Sequence, residues 1–332
     1  MNNIITTKKK YEYIKTLKLP LYRILDFFKI EKFNKKHKYY NVSSLKQFSQ
    51  LYKLSKNDMN LFSSLIQLVS RFVKIDILKL IELFNKYSHN DKLMYDKLRY
   101  HYNKNKKNNK PKTNTQGDKK IKKKYKNISQ NKIADIIYYY MNRSVKNLKI
   151  KKYLDFGCGD CKKTYYIGKK FGLNKENIIG ADIEEWFDYS DETRDVDNIT
   201  FLDISKKIDI EDNSISLITC IMSLHHIKEL DKTIKELYRI CEKGGYLVLI
   251  EHDSFTHFDH MLIDVEHGMF EMVQKNNEKY FNTYYSKYFN WIEWDLIMNY
   301  YGFKYIYAVN ISSSVRFNVS MDRKFIAIYQ KN

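Results

Sequence analysis

The sequence predicts an α/β protein whose parallel β-sheet is covered by helices on both faces, preceded by a basic helical domain. Two observations support this prediction. Beyond residue 129, short apolar segments alternate with helical patterns, an order typical of parallel sheets. Residues 1–150 are rich in Lys and Leu and contain only one of the ten glycines, Gly117, which favours a small helical domain there.

The predicted domain boundaries follow changes of composition along the chain. We interpret residues 1–102 as a helical basic accessory domain, 103–128 as a lysine-rich flexible linker and 129–332 as the α/β domain. Residues 103–127 hold eleven lysines, one acid and almost no apolar side chain. A merely solvated spacer explains this segment as well as a binding segment does.

Local signals mark several helix starts. Pro20 suits the first turn of a helix, and Ser55 with Asp58 resembles a capping box ahead of an apolar helical face. Ser129 is a predicted N-cap for a helix over 132–140.

Seven short apolar segments are predicted as strands, with helices between the first five. Their predicted ranges are Lys152–Phe156, Asn177–Asp182, Ile199–Asp203, Ser216–Ile221, Gly245–Glu251, Gly302–Val309 and Lys324–Tyr329.

The net charge of +20 is unevenly distributed. Residues 1–150 carry 36 Lys and Arg against 10 Asp and Glu, whereas residues 151–332 carry 23 against 29. The first part is therefore +26 and the second −6, and a basic block of this size attracts nucleic acid through counterion release. Coding in an AT-rich genome also supplies many lysines, but it does not explain the change of sign.

The composition excludes several classes of protein. A hydrophobic fraction of 43% and an aromatic fraction of 15% are too high for a wholly disordered chain. Two prolines exclude a collagen-like protein, and four cysteines are too few for a disulfide scaffold. No apolar run approaches the roughly 20 residues of a membrane span, so we expect a soluble intracellular protein without a membrane partner.

The clearest motif is a glycine turn at the end of the first predicted strand. Tyr153-Leu154-Asp155-Phe156-Gly157-Cys158-Gly159-Asp160 ends a strand in an acid and turns through two glycines into a helix. Glycine permits close approach of a ligand to the backbone, and the N-terminus of a helix offers free N–H groups. The turn contains Cys158 and Cys161 in a CxxC spacing, which we interpret as coincidence rather than a redox motif.

Two further strands also end in acids. Asp182 lies 23 residues after Gly159, a separation at which a carboxylate can accept hydrogen bonds from a ribose. Asp203 ends the next strand and is suited to an exocyclic amine of adenine. A strand-end Asp is also a good helix N-cap, and we favour the ligand role because the two acids occur together.

These segments, with Leu224-His225-His226-Ile227 and Lys243-Gly244-Gly245, resemble in order and spacing a class I S-adenosylmethionine-dependent methyltransferase of the small-domain, methyltransferase type 11-like kind. The resemblance covers about residues 130–332, and residues 1–128 resemble no known family. It implies a Rossmann-like seven-stranded sheet whose last strand is antiparallel, and S-adenosyl-L-methionine as cofactor. The Lys/Asn/Tyr-rich style is similar to that of large DNA viruses.

The resemblance also implies roles for individual residues around the cofactor. Asp155, Gly157 and Gly159 would border its methionine part. Asp182 would bind the ribose, with Ile183 beside it. Asp203 and Ile204 would flank the adenine, and Cys220, Ile221 and Met222 would line the cofactor near its sulfonium.

Candidate catalytic residues follow the fourth and fifth strands. Six of the nine histidines lie within 225–267, and Glu251-His252-Asp253 ends the fifth strand, where substrate groups sit in open α/β sheets. We predict that His252, Glu251 and then His225 contact the acceptor or transfer a proton. A merely solvated or capping role is equally open for each histidine. We expect no metal site, because no CxxC pair partners a second pair in a structural zinc spacing.

We expect a methyltransferase that acts on nucleic acid, RNA in particular, with residues 1–128 as an accessory binding part. A methyltransferase of proteins or small molecules, and a non-catalytic methyltransferase-fold subunit of an RNA-modifying complex, remain open. A cytoplasmic location, or the host cytoplasm or virion for a viral protein, follows from the expected solubility. The fourth strand ends in Ile221-Met222-Ser223-Leu224, which lacks the Asn/Asp-Pro-Pro-aromatic motif and the lysine of two known nucleic-acid methyltransferase schemes.

Overall fold

A computed structural model describes residues 44–108, 132–183, 199–205, 208–311 and 323–332. The predictions for Pro20, for Ser129 and for most of the linker lie outside these residues.

The described strands form one seven-stranded sheet in the order β3-β2-β1-β4-β5-β7-β6. Their ranges are β1 Tyr153–Phe156, β2 Ile178–Asp182, β3 Thr200–Asp203, β4 Ile215–Ile221, β5 Cys241–His252, β6 Phe303–Asn310 and β7 Lys324–Lys331. All seven predicted strands are confirmed, with ends that shift by a few residues.

The first five strands pair in parallel, whereas β7 is antiparallel to both β5 and β6. β1 lies between β2 and β4, so that Asp155 is level with Gly180 on one side and Thr219 on the other. The carboxyl ends of β1, β2, β4 and β5 therefore meet at one edge, which is where open α/β sheets bind ligands.

Helices pack beside this sheet and bury their apolar faces. Their ranges are α5 at residues 132–144, α6 Lys162–Lys170, α7 Leu230–Ile240 and α10 Trp291–Tyr300. In α5, the buried Ala134, Ile137 and Met141 recur at helical spacing and join the core formed by the strands. In α10, Trp294, Ile297 and Met298 are buried, whereas Trp291 at the start of the helix is 37% exposed.

Four helices occupy the described part of the basic region: α1 Phe48–Ser55, α2 Met59–Val73, α3 Ile77–Tyr87 and α4 Asp91–Asn108. The predicted capping box at Ser55 is wrong. Ser55 ends α1, and Asp58 caps α2, its carboxylate accepting from the backbone N–H groups of Asn60 and Leu61. Asp58 supplies this cap alone because Ser55 turns its hydroxyl back to the Tyr52 carbonyl. α4 continues to Asn108, so the first residues of the expected linker are helical.

The segment between β5 and β6 forms a further helical layer. It contains α8 His257–Gly268, a π-helical turn Met269–Gln274 and α9 Tyr280–Thr283. A capping box between Thr256 and Asp259 begins α8. We call residues 257–284 the insertion.

The insertion and α1–α4 share one hydrophobic core. Phe48, Phe84 and Tyr95 from the N-terminal helices belong to the same buried cluster as Leu262 and Met269 of the insertion. Full burial of side chains of this size contributes about 1.5–3 kcal/mol each. The described residues from 44 to 332 accordingly form one compact unit. The described N-terminal helices thus pack on the α/β part through the insertion.

Polar contacts also join the insertion to the N-terminal helices. Asp264 of α8 accepts hydrogen bonds from the Ser44 N–H at 3.0 Å and from Nε2 of Gln47 at 2.9 Å. Arg71 of α2 forms an ion pair with Glu266 at 2.9 Å. These contacts fix the rotation of α8 relative to α1 and α2.

No helix in the described ranges is both long and apolar enough to span a membrane.

Candidate active site

The glycine turn after β1 is shaped by backbone that favours glycine. Gly157 and Gly159 have φ angles of +78° and +55°. A Cβ at Gly157 would overlap with the Cβ of Ser223, which follows β4. A Cβ at Gly159 would meet no described atom within 4 Å. The turn is therefore packed at Gly157 and open at Gly159, which leaves room for a ligand at the second glycine.

Asp182 at the end of β2 lies against this turn. Its Oδ2 accepts a hydrogen bond from the Gly159 N–H at 2.8 Å, and its Oδ1 accepts from the Ile183 N–H at 2.8 Å. Each carboxylate oxygen can accept a second hydrogen bond, so both remain able to bind a hydroxyl. The sequence prediction that Asp182 and the glycines share one site is consistent with this placement.

Asp155 is buried beneath the turn rather than beside the open space. Its two oxygens accept from the Thr164 and Thr219 hydroxyls, both at 2.6 Å, and it is 1% exposed. Burial raises the pKa of Asp155 above its ordinary value. These contacts link β1, β4 and α6, and they favour a role in supporting the turn over the predicted contact with methionine.

The predicted adenine contacts lie at the end of β3, next to β2. Asp203 is level with Asp182, is exposed, and accepts from the Ser205 N–H at 2.8 Å. The Ile204 N–H donates to the Asp182 carbonyl at 3.0 Å, and Ile183 is 57% exposed. The sheet therefore brings Asp182, Ile183, Asp203 and Ile204 together at one edge.

Cys220, Ile221 and Met222 lie at the end of β4. Cys220 and Ile221 are buried, whereas Met222 is half-buried and has a φ of +55°. The Met222 N–H donates to the Ile250 carbonyl at 2.8 Å, which ties this bend to β5. Of the three side chains, only that of Met222 is partly exposed.

The three predicted catalytic residues are brought together. Nδ1 of His225 lies 2.6 Å from Oε2 of Glu251, and the rings of His225 and His252 are 5.2 Å apart between centroids. Oε1 of Glu251 accepts from the backbone N–H groups of Ser223 and His225. All three side chains are buried. Glu251 therefore positions His225, and the ionised carboxylate of Glu251 places the imidazole proton on Nδ1.

Burial dominates the electrostatics of this group. It lowers the pKa of His225 and His252 and raises the pKa of Glu251. The imidazoles are therefore neutral at pH 7, because their charged forms are poorly solvated there.

His267 belongs to the same group, although it was not among the predicted catalytic residues. Its ring centroid lies 5.4 Å from that of His225 and 5.8 Å from that of His252. His267 comes from α8, and its Nδ1 is 2.8 Å from the Ile263 carbonyl. Histidines are frequent between residues 225 and 267, and this was the one sequence feature that pointed to His267. Their spacing does not distinguish His267 from the others.

Cys158 and Cys161 are adjacent in space, with their sulfurs 3.3 Å apart, and both thiols are free and buried. A Cβ at Gly180 would overlap with the Cys161 sulfur. The pair fills the space between the glycine turn and β2, which is consistent with a packing role.

Residues 154–249 match the family model described as "Methyltransferase domain". No curated protein matches the sequence.

Three solved structures illustrate the similarity of this chain's fold to known folds. The CurJ carbon methyltransferase is 19% identical with a TM-score of 0.42, and the alignment covers 60% of this chain and 53% of that one. The YcgJ protein of Bacillus subtilis is 15% identical with a TM-score of 0.42, covering 60% and 97%. An S-adenosylmethionine-dependent methyltransferase of Mesorhizobium loti is 9% identical with a TM-score of 0.42, covering 58% and 96%. This chain thus spans about half the length of the CurJ protein.

The matched residues begin in β1 and end in β5, so the similarity to a methyltransferase domain lies in the parallel part of the sheet.

Proposed function

We propose that this enzyme methylates nucleic acid, RNA in particular, and that the basic part of the chain binds the substrate backbone. The observation that carries the proposal is the distribution of charge. Residues 1–150 have a net charge of +26, whereas residues 151–332 have a net charge of −6. A methyltransferase of small molecules has no need of such a block, while a polyanionic substrate is held by it.

The open space at Gly159 and the carboxylate of Asp182 support a cofactor seat at the ends of β1 and β2. S-adenosylmethionine would bring a methyl group on a sulfonium, a good leaving group. Gly157 and Gly159 would let the backbone approach the methionine part, and Asp182 would accept from the ribose hydroxyls. Asp203, Ile204 and Ile183 would contact the adenine side. Met222, with Cys220 and Ile221 behind it, would face the sulfonium.

The acceptor would lie beyond β4 and β5, next to His225, Glu251 and His252. Because the methyl donor is reactive, the main tasks here are to align the acceptor and exclude water. Glu251 holds Nδ1 of His225, so Nε2 of His225 is directed away from the carboxylate and is able to take a proton from an acceptor. His252 lies beside it.

A labelling experiment tests the substrate class. The full chain is incubated with methyl-labelled S-adenosylmethionine and separate pools of RNA, DNA and protein. We expect label in RNA. Label in protein alone would contradict the proposal and favour a protein methyltransferase, and label in DNA alone would contradict the choice of RNA.

The basic part is tested by charge removal within the full chain, because its described helices share a core with the insertion. Replacing Lys119, Lys120, Lys122, Lys123 and Lys124 with Gln removes five positive charges. If these lysines contact phosphates, the slope of log affinity against log salt for single-stranded RNA falls by about 3.5.

The matched control replaces five exposed lysines of the acidic part, Lys151, Lys169, Lys243, Lys279 and Lys304, with Gln. The control variant should keep the wild-type salt dependence. Equal effects in both variants would show nonspecific charge attraction and would contradict a binding role for the lysine-rich segment.

The proposal also includes the cytoplasmic location and viral origin that the composition suggests.

A further inference from the structure

We propose that His225, His252 and His267 bind a divalent transition-metal ion, with Zn²⁺ the best fit. One nitrogen from each ring lies within 4.8 Å of the corresponding nitrogens of the other two. Tetrahedral zinc with bonds of about 2.0–2.1 Å separates its ligand nitrogens by about 3.4 Å, so small rotations of the rings complete the site.

Two of the three rings each contain a buried nitrogen that makes no hydrogen bond with the described residues. Nε2 of His225 and Nδ1 of His252 are buried and have no hydrogen-bond partner among the residues that the structure describes. The two side chains are 2% and 4% exposed. Buried polar atoms are nearly always paired, and an ion is one of the few partners able to satisfy two such atoms at once.

Outer hydrogen bonds hold the rings in the tautomers that a metal requires. Nδ1 of His225 pairs with Oε2 of Glu251 at 2.6 Å, and Nδ1 of His267 pairs with the Ile263 carbonyl at 2.8 Å. Both contacts place the ring proton on Nδ1 and leave a lone pair on Nε2. A carboxylate or carbonyl behind a ligand histidine is the usual second contact of zinc-binding rings.

The chemistry of the ligands selects the class of metal. Imidazole nitrogens suit Zn²⁺ and other late transition metals, whereas Mg²⁺ and Ca²⁺ prefer oxygen. Three histidines with a fourth position open form a typical catalytic rather than structural zinc site. The ring of Tyr288 lies 5.7 Å from the rings of both His225 and His252, so one side of the site is enclosed.

The site arises from three elements that are far apart in sequence. His225 follows β4, His252 ends β5, and His267 lies in α8 of the insertion, which packs on α1–α4. Because the three histidines share no local spacing in the sequence, no metal site was predicted there. A metal on Nε2 of His225 also excludes direct proton transfer by that atom, so the site would replace the simple base described above.

Metal binding by the full chain tests the proposal without S-adenosylmethionine or RNA, so its outcome is independent of the proposed substrate. The protein is stripped with a chelator, and ZnCl₂ is titrated by calorimetry with the metal content measured after dialysis. We expect one Zn²⁺ per chain, and a tetrahedral absorption spectrum when Co²⁺ replaces it. Absence of stoichiometric binding would overturn the proposal.

Variants assign the ligands. H252Q and H267Q should each weaken Zn²⁺ binding by at least about 100-fold, and E251Q, which changes a positioning residue, by about 10–100-fold. H89Q, at an exposed histidine outside the cluster, should bind like the wild type. Circular dichroism in the presence of chelator verifies that each variant is folded. Folded H252Q and H267Q variants that keep the wild-type affinity and Co²⁺ spectrum would overturn the assignment.

Discussion

The backbone N–H of Gly159 donates a 2.8 Å hydrogen bond to Oδ2 of Asp182 and so joins the glycine turn of β1 to the end of β2. The carboxylate that is expected to hold the ribose also holds the turn that borders the methionine part. Asp182 therefore has an observed structural role and a proposed binding role, and different substitutions separate the two.

Replacement of Asp182 is expected to weaken the cofactor complex. D182A loses every acceptor, so S-adenosylmethionine affinity measured by calorimetry should fall roughly 10–100-fold, which corresponds to about 1.5–3 kcal/mol. D182N keeps one oxygen for the Gly159 N–H, so its stability should stay nearer to the wild type while its affinity still falls. Wild-type affinity in D182A would contradict the ribose contact.

The two glycines of the turn should respond differently to alanine. G157A introduces a Cβ that overlaps with Ser223 at a φ of +78°, and it should lower the free energy of unfolding by several kcal/mol. G159A introduces strain alone, about 1–2 kcal/mol, but its methyl group enters the open space and should impair cofactor binding.

The control for this pair is Gly172, which has a φ of +74° and no described atom within 4 Å of a built Cβ. G172A should share the strain of G159A and retain wild-type cofactor affinity. If G159A and G172A have the same free energy of unfolding and the same S-adenosylmethionine affinity, the space at Gly159 is not the cofactor-binding site.

Substitution of Gly268 tests the packing of the core that α4 and the insertion share. A Cβ at Gly268 would overlap with the ring of Tyr95, which is fully buried. G268A should therefore destabilise the protein by about 1–3 kcal/mol in urea unfolding. The double variant G268A/Y95L should recover part of that loss, because it removes the atoms that clash. Additive effects would show that the two residues are not in contact.

Asp155 gives a pH dependence with a defined sign. Burial raises its pKa in the folded protein, whereas the unfolded value is about 3.9. The folded state therefore binds the proton more tightly, so this stabilising contribution is present below about pH 4 and is lost as the pH rises through the folded pKa. D155N lacks this contribution.

The difference between the unfolding free energies of D155N and the wild type should therefore change across that window in favour of the variant. Urea midpoints at pH 4, 5, 6 and 7 measure it. A difference that is constant with pH would show that the folded pKa is not raised.

The strands were predictable because their signal is local. Runs such as Ser216–Ile221 are apolar and bounded by turn residues, and the parallel order follows from their alternation with helices. The neighbouring positions of Asp182 and Gly159 were predictable for the same reason, because parallel strands place their carboxyl ends at one edge.

The insertion was not predictable in this way. Its contact with α1–α4 depends on pairs such as Tyr95 and Gly268, which are far apart in sequence and carry no shared local pattern. His267 is positioned by that contact, so the histidine cluster could be predicted only in part. The capping prediction at Ser55 failed because Asp58, three residues later, is the stronger acceptor for the free N–H groups of α2.

The shared core of α1–α4 and the insertion has a consequence for engineering. A chimera that receives residues 257–284 without residues 44–108 would expose the hydrophobic face of the insertion to solvent. The reverse graft would expose the hydrophobic faces of α1–α4. Any transfer of the proposed acceptor site between this protein and another scaffold therefore has to move both segments together.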